Sequence, residues 1–180
     1  EQGIWQVGQP TKASGPATNS VGSQAHSGTN CAAPLLSANY PIGANSRLVS
    51  PQFVLPASSN PYLRFWHWYS FIGPDYGVVE IRVGTNAWQS ISPSYSGNSG
   101  GWAEPFIDLT RFAGQTVQLG FLLIWVNNNP TKPGWYVDDV QIYPNTTPAF
   151  PPYINLNLDS SGTNAIVHWT SMPEYAGFTL

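Results

Sequence analysis

The sequence predicts an all-β protein: a two-sheet antiparallel jelly-roll sandwich, then a Pro-rich linker and a short β-strand tail. Three observations carry that prediction. Short runs rich in aromatic and β-branched residues recur along the chain, separated by clusters of Gly, Pro, Asn and Ser such as Gly73-Pro74-Asp75-Tyr76-Gly77 and Ser96-Gly97-Asn98-Ser99-Gly100-Gly101. No segment carries the period of an amphipathic helix. Two runs alternate with period two. In the first, Leu63, Phe65, His67, Tyr69 and Phe71 share one face and Tyr62, Arg64, Trp66, Trp68 and Ser70 the other. In the second, Val117, Leu119, Phe121 and Leu123 oppose Thr116, Gln118, Gly120 and Leu122.

Composition narrows the class. The 180 residues are 42% hydrophobic and 14% aromatic but only 8% charged, where about 25% charged is usual for soluble domains. A disordered chain would have few aromatics and high net charge. The formal net charge is −3, and the six cations (Lys12, Arg47, Arg64, Arg82, Arg111, Lys132) are scattered. Nothing forms the basic stripe that nucleic acid requires, and no apolar run reaches the roughly 20 residues of a membrane span. The start Glu1-Gln2-Gly3-Ile4 shows no signal peptide and reads as a mature secreted chain. The expected location is therefore extracellular or on the cell surface. Cys31 stands alone; beside Ala32, Ala33, Leu35 and Leu36 it reads as a small buried hydrophobe rather than a bridge.

Taken in order, the expected strands are Ile4 to Val7, Ala32 to Leu36, Arg47 to Leu55, Tyr62 to Phe71, Gly77 to Val83, Ala87 to Ile91, Pro105 to Leu109, Thr116 to Val126 and Trp135 to Tyr143. These make a jelly-roll domain over residues 1–143. Residues 144–152, with four prolines, form an extended linker. It contains the sequon Asn145-Thr146-Thr147. Residues 153–180 hold three more strand-like runs, Tyr153 to Leu158, Ala165 to Trp169 and Gly177 to Leu180. A tail this short cannot build its own core. Its apolar members, including Ile154, Leu156, Leu158 and Trp169, need a partner surface on the same chain or on a neighbour, or the tail is expected to be a truncated second domain.

The sharpest local signal is Asp138-Asp139 in the last strand. Strict alternation puts Tyr136, Asp138, Val140 and Ile142 on one face, and a carboxylate on a core face must be bonded to something. Two solutions stand: Asp138 ligates calcium, with Asp139 and Asn30 as further ligands and Ser27, Glu1 and Asp75 as other oxygen donors, or it caps backbone N–H groups of a neighbouring loop. Among the aromatics, Trp66, Trp68, Trp88, Tyr95, Trp102 and Trp125 could meet carbohydrate rings, although most aromatics are expected in the core. Trp88, Tyr95 and Trp102 adjoin Gly/Ser/Asn turns and are the better surface candidates. Catalysis has little to stand on. His26, His67 and His168 are far apart and form no His-Glu-x-x-His pattern. There is no Gly-x-Ser-x-Gly elbow. Glu80, Glu104 and Asp108 are not paired on one strand face, and His67 reads as a core histidine.

Several segments, in order, resemble a known family: Trp5-Gln6-Val7-Gly8-Gln9-Pro10, His26-Ser27-Gly28-Thr29-Asn30, Leu63 to Tyr69, Ile107-Asp108-Leu109-Thr110, and above all Gly134-Trp135-Tyr136-Val137-Asp138-Asp139-Val140. Over roughly residues 4 to 143 the chain resembles MAM-like and cleaved-adhesin jelly rolls. These occur as accessory domains of bacterial secreted peptidases, including immune-inhibitor-A-type enzymes, and of surface proteins. The resemblance implies a non-catalytic module, and a structural calcium at Asp138. The tail resembles the opening strands of a fibronectin type III domain, with Trp169 at its aromatic position. The function expected is adhesion or binding to a protein or glycan. The alternative is a self-assembling subunit of an extracellular filament, joined by strand addition of the tail.

Overall fold

The computed structural model describes residues 3–16, 24–57, 60–126, 130–145, 154–158 and 165–169. Eleven strands build the first unit: β1 Gln6–Gly8, β2 Cys31–Ala33, β3 Asn45–Val49, β4 Phe53–Val54, β5 Asn60–Ser70, β6 Tyr76–Val83, β7 Gln89–Ser90, β8 Tyr95–Ser96, β9 Phe106–Asp108, β10 Thr116–Ile124 and β11 Gly134–Asn145. One turn of 3₁₀ helix, Thr110–Phe112, is the only helical element among the described residues. The strands form two antiparallel sheets. The first has the order β1-β2-β11-β5-β9; the second has β3-β10-β6-β7, with β4 also on β10 and β8 on β6. Connections β2–β3, β4–β5, β5–β6, β8–β9, β9–β10 and β10–β11 all pass from one sheet to the other. This is the jelly-roll sandwich expected from the strand pattern.

The core lies between the sheets and is lined by the faces that period two selects. Leu63, Phe65 and Phe71 come from β5 and the residue after it, Val79 and Ile81 from β6, Val117, Leu119, Phe121 and Leu123 from β10, and Trp135 and Val137 from β11. Burying each large apolar side chain contributes about 1.5–3 kcal/mol. Trp135 is fully buried and reaches across to the second sheet. A Cβ on Gly77 would stand 2.4 Å from its ring, so only glycine lets β6 and the indole pack this closely. His67 is 3% exposed, and its Nδ1 accepts a hydrogen bond from Trp135 Nε1 at 3.3 Å. Burial pulls its pKa down to about 4. It is the core histidine anticipated. Cys31 is likewise buried, its thiol pushed up to about 12 by desolvation and by the nearby charge of Asp138.

The structure alters several boundaries. The long run Arg47 to Leu55 divides into β3 and β4, because Ser50 keeps its N–H bond to Leu119 O but its Oγ, in place of its carbonyl, accepts from Leu119 N at 2.9 Å. β8 was not anticipated. β11 continues through Pro144 and Asn145, opposite Pro61 and Asn60, so the linker does not begin at residue 144. The two prolines can face each other for a definite reason. Pro61 O accepts from Leu109 N, just after β9, so its backbone groups point away from β11 and no N–H is needed there.

The chain divides into two compact units, Glu1–Thr146 and Thr147–Leu180. In the second, β12 (Ile154–Leu158) and β13 (Ala165–Trp169) form an antiparallel pair, with Ile154 opposite Trp169, Leu156 opposite Val167 and Leu158 opposite Ala165. The expected linker core, residues 146–152, and the third tail strand, Gly177 to Leu180, lie outside the described residues.

Candidate functional site

The Asp138-Asp139 pair sits at a β-bulge. Asp138 opposes Trp66 and Gln141 opposes Arg64, so two residues of β11, Asp139 and Val140, face the single Phe65. Asp139 has φ +47, a left-handed conformation that aspartate tolerates better than most residues. The extra residue reverses the alternation. Before the bulge, Trp135 and Val137 point into the core while Tyr136 and Asp138 point outward; after it, Ile142 packs on the core. Asp138 is therefore on the outer face and only half-buried. The common core face expected for Tyr136, Asp138, Val140 and Ile142 does not exist, because a bulge cannot be read from alternation.

Every carboxylate oxygen of the pair meets a donor. Asp138 Oδ2 accepts from the backbone N–H groups of His26 (2.9 Å) and Ser27 (3.2 Å), and Oδ1 from Asp139 N (2.8 Å). Asp139 Oδ1 accepts from Ser27 Oγ at 2.6 Å, and Oδ2 lies 2.8 Å from His26 Nδ1. These bonds hold the Asp139 carboxyl below its ordinary pKa. The His26 ring stacks on Trp66 at 3.8 Å and meets Trp102 edge-on at 5.8 Å. The pair thus clamps the loop before β2 onto the sheet. Beneath that loop lies a second small core of Ala25, Cys31, Ala33, Trp68 and Tyr136.

This is the loop-capping solution. A calcium ion does not fit the arrangement: it needs oxygen acceptors, and here the oxygens are already turned to N–H and O–H donors. Asn30 is exposed and bonds to neither aspartate. Asp75 is fully buried, but its oxygens accept from Tyr40 Oη (2.7 Å) and Val126 N (2.7 Å) and anchor other loops. Glu1 lies outside the described residues.

The three aromatics expected at the surface do not form one platform. Trp88 lies on the outer face of the second sheet, over Gly120, with the guanidinium groups of Arg47 and Arg82 4.7 and 4.8 Å from its ring. Tyr95 turns into the seam between the sheets, against His67, Tyr69 and Trp135. Burial raises its pKa. Trp102 is half-buried against the small second core. Of the other tryptophans, Trp68 belongs to that small core and Trp125 packs on the main one. The side chains of Ile154, Leu156, Leu158 and Trp169 lie outside the described residues.

What the first sheet does expose was not anticipated. Past the clamped loop, its outer face carries Phe106 (63% exposed) and Tyr143 (38% exposed). Between them lies Arg64, whose guanidinium is 4.7 Å from the Phe106 ring and 4.8 Å from that of Tyr143. Arg64 also pairs with Glu104 at 2.5 Å, and Tyr62 meets Phe106 edge-on at 6.4 Å. Three strands supply this patch: β5, β9 and β11. Half of it, Tyr62 and Arg64, was legible as one strand face. That Phe106 and Tyr143 join them depends on strand order.

No protein-family model matches the chain. It is similar to Bacillopeptidase F of Bacillus subtilis (strain 168), with 34% identity over 138 residues, covering 76% of this chain and 9% of that protein. It is also similar to the pre-pro-metalloprotease PrtV of Vibrio cholerae serotype O1, with 30% identity over 106 residues, 52% of this chain and 11% of that protein. The chain thus spans about a tenth of the length of these relatives. Among solved structures, it is similar to the carbohydrate-binding module TmCBM61 in complex with β-1,4-galactotriose (16% identity, TM-score 0.44, 78% of this chain and 88% of that one). Another is the K3 cleaved adhesin domain of Lys-gingipain from Porphyromonas gingivalis (17% identity, TM-score 0.41, 77% and 91%).

Proposed function

We propose that the chain is a non-catalytic binding or adhesion module of a secreted or cell-surface protein, with a protein or glycan as its ligand. The observation that carries this reading is the Phe106–Arg64–Tyr143 patch on the outer face of the first sheet. Exposed aromatics flanking a cation are what binding surfaces concentrate. The relatives support the same reading. Both are named as peptidases, and the chain corresponds to a small fraction of each, which is the relation of an accessory domain to its enzyme. The MAM-like or cleaved-adhesin assignment, and the fibronectin type III character of the tail, belong to this proposal.

Among the described residues, Ser27, His26 and Asp139 make the one arrangement that resembles a catalytic triad, and its geometry argues against that use. Serine bonds to the carboxylate that also holds the histidine, rather than to the histidine as a nucleophile would. The His26 Nδ1–Asp139 bond is one that a triad would have, but Ser27 does not bond to the His26 ring, which is stacked flat on Trp66. The arrangement fastens a loop.

The test places the labelled whole chain on a glycan array and on a synthetic peptide array, beside the double variant Phe106→Ala, Tyr143→Ala. Binding on at least one array that the double variant loses, with an unchanged circular dichroism spectrum, is the expected result. Wild-type binding on neither array would remove the proposal.

A further inference from the structure

We infer that the open part of the first sheet's outer face is a platform for a neutral glycan, with sugar rings laid against Phe106 and Tyr143 and their hydroxyls bonded by the polar groups between. The inference rests on the reading of the chain as a binding module and names the ligand class for that same patch.

The first support is the order of side chains across the strands. Register places Phe106 of β9, Arg64 of β5 and Gln141 of β11 in one row of the outer face, and Asp108, Tyr62 and Tyr143 in the next. The bulge brings Gln141 into line with Arg64, by moving β11 on by one residue. β9 is the last strand of the sheet, and β2 reaches β11 only at Val137, so neither Phe106 nor Tyr143 has a strand beyond it. The Arg64 guanidinium lies between the two rings, 4.7 and 4.8 Å from their centres, and both rings remain exposed. One short oligosaccharide can therefore touch both. A sugar ring carries C–H groups on its flat sides, and these pack on an aromatic ring as apolar surface.

The second support is charge. Each ion on this part of the face is matched from within. Arg64 pairs with Glu104 at 2.5 Å. Asp108 accepts from Thr110 N at 2.8 Å, and its bonds to Thr110, with the nearby Arg111 guanidinium, hold its carboxyl below the ordinary pKa. No charge is left to complement an acidic or a basic partner. What remains free is neutral: the exposed Gln141 amide and the hydroxyls of Tyr62 and Tyr143, none of which is hydrogen-bonded among the described residues. Amide and phenol each donate and accept, as the hydroxyls of a sugar do. Aromatic surface with a few such groups is the usual make-up of a small-ligand site. The platform ends at Trp66, where the ring of His26, in the clamped loop, is stacked on the sheet and forms a rim.

The experiment places the whole chain on an array of neutral oligosaccharides of glucose, galactose, mannose and xylose, beside uronic acid and sulfated counterparts, and on the peptide array. At least one neutral oligosaccharide should bind, and its charged counterparts should bind no better. Raising sodium chloride from about 0.05 to about 0.5 M should leave its Kd unchanged within about twofold, because no charge is paired across the interface. Phe106→Ala and Gln141→Ala should each weaken its binding about tenfold, the equivalent of about 1.4 kcal/mol. Titration of the unaltered chain should also shift the ring protons of Phe106 and Tyr143, a reading that depends on no variant. A preference for the charged glycans, with a salt-sensitive Kd, overturns the inference. So does neutral-glycan binding that leaves those ring protons and both variants unaffected, which would put the ligand elsewhere. Peptide binding alone, lost in the double variant Phe106→Ala, Tyr143→Ala, overturns the inference and leaves the module reading standing; no binding on either array removes both.

Discussion

The two faces of the five-stranded sheet carry similar side chains and meet different fates. β5 and the residue after it send Leu63, Phe65, His67 and Phe71 inward and Tyr62, Arg64, Trp66 and Trp68 outward. Both sets are rich in aromatics. The inward set is sealed by a whole second sheet. The outward set is covered only as far as one loop reaches: Trp68 and Tyr136 are buried, Trp66 is stacked under His26, and Phe106 and Tyr143 are left in solvent. What separates core from surface here is not residue type but what stands opposite. On the outer face, that is settled by the two aspartates that hold the loop.

The comparison can be broken most forcefully from within. Phe65 is fully buried and packs edge-on against Phe121 at 5.1 Å. Phe65→Ala should cost about 3–5 kcal/mol by transfer and cavity terms, seen as a large fall in the denaturant midpoint. A loss below about 1 kcal/mol would mean that the inner face is not the tight core described here.

Acid provides the next test. The pKa of His67 is lowered from 6.5 to about 4 by burial. Above pH 6.5 the ring is neutral in both the native and unfolded chain, and the native state bears no penalty. As pH falls below 6.5 the unfolded chain takes up a proton that the native chain refuses until about pH 4. Stability is therefore lost progressively from pH 6.5 towards pH 4, by on the order of 3 kcal/mol from this group. Chemical denaturation across that range should show the loss, and His67→Phe should lack that part of the slope. An identical slope in the variant would contradict the assignment.

The clamp on the outer face is the next target. Asp138→Ala leaves the amides of His26 and Ser27 without their acceptor and should cost about 1–2 kcal/mol. Hydrogen exchange of those two amides should rise, while Phe65 and Leu119 stay protected. Because every oxygen of the two carboxylates already faces an N–H or O–H donor, chelation by EDTA should leave the melting temperature unchanged. A fall on chelation would show that a metal displaces the clamp.

The smallest effect belongs to the open part of the face. Phe106→Ala should change stability by no more than about 0.5 kcal/mol, since the ring is mostly in solvent. A cost comparable to that of Phe65→Ala would mean that this patch is covered and is no binding surface.

Alternation alone made the inner face legible, because a strand exposes successive side chains to opposite sides whatever the fold around it. Leu63, Phe65 and Phe71, and Val117 through Leu123, could be placed from their spacing. So could the all-β class, from turn residues and the lack of a helical period. His67 and Cys31 were readable as buried because their neighbours in sequence were. Asp138-Asp139 stood out as needing partners, but both its position and its use escaped. An inserted residue shifts everything after it by one face, and its donors come from residues over a hundred positions away in sequence. Trp88, Tyr95 and Trp102 adjoin similar turns yet fall in three separate places, because a turn says nothing of which sheet its neighbours join. The Phe106–Arg64–Tyr143 patch, with Gln141 beside it, arises from strand order and ladder register. Those are long-range pairings between segments that local sequence leaves independent, and only the folded chain brings them together.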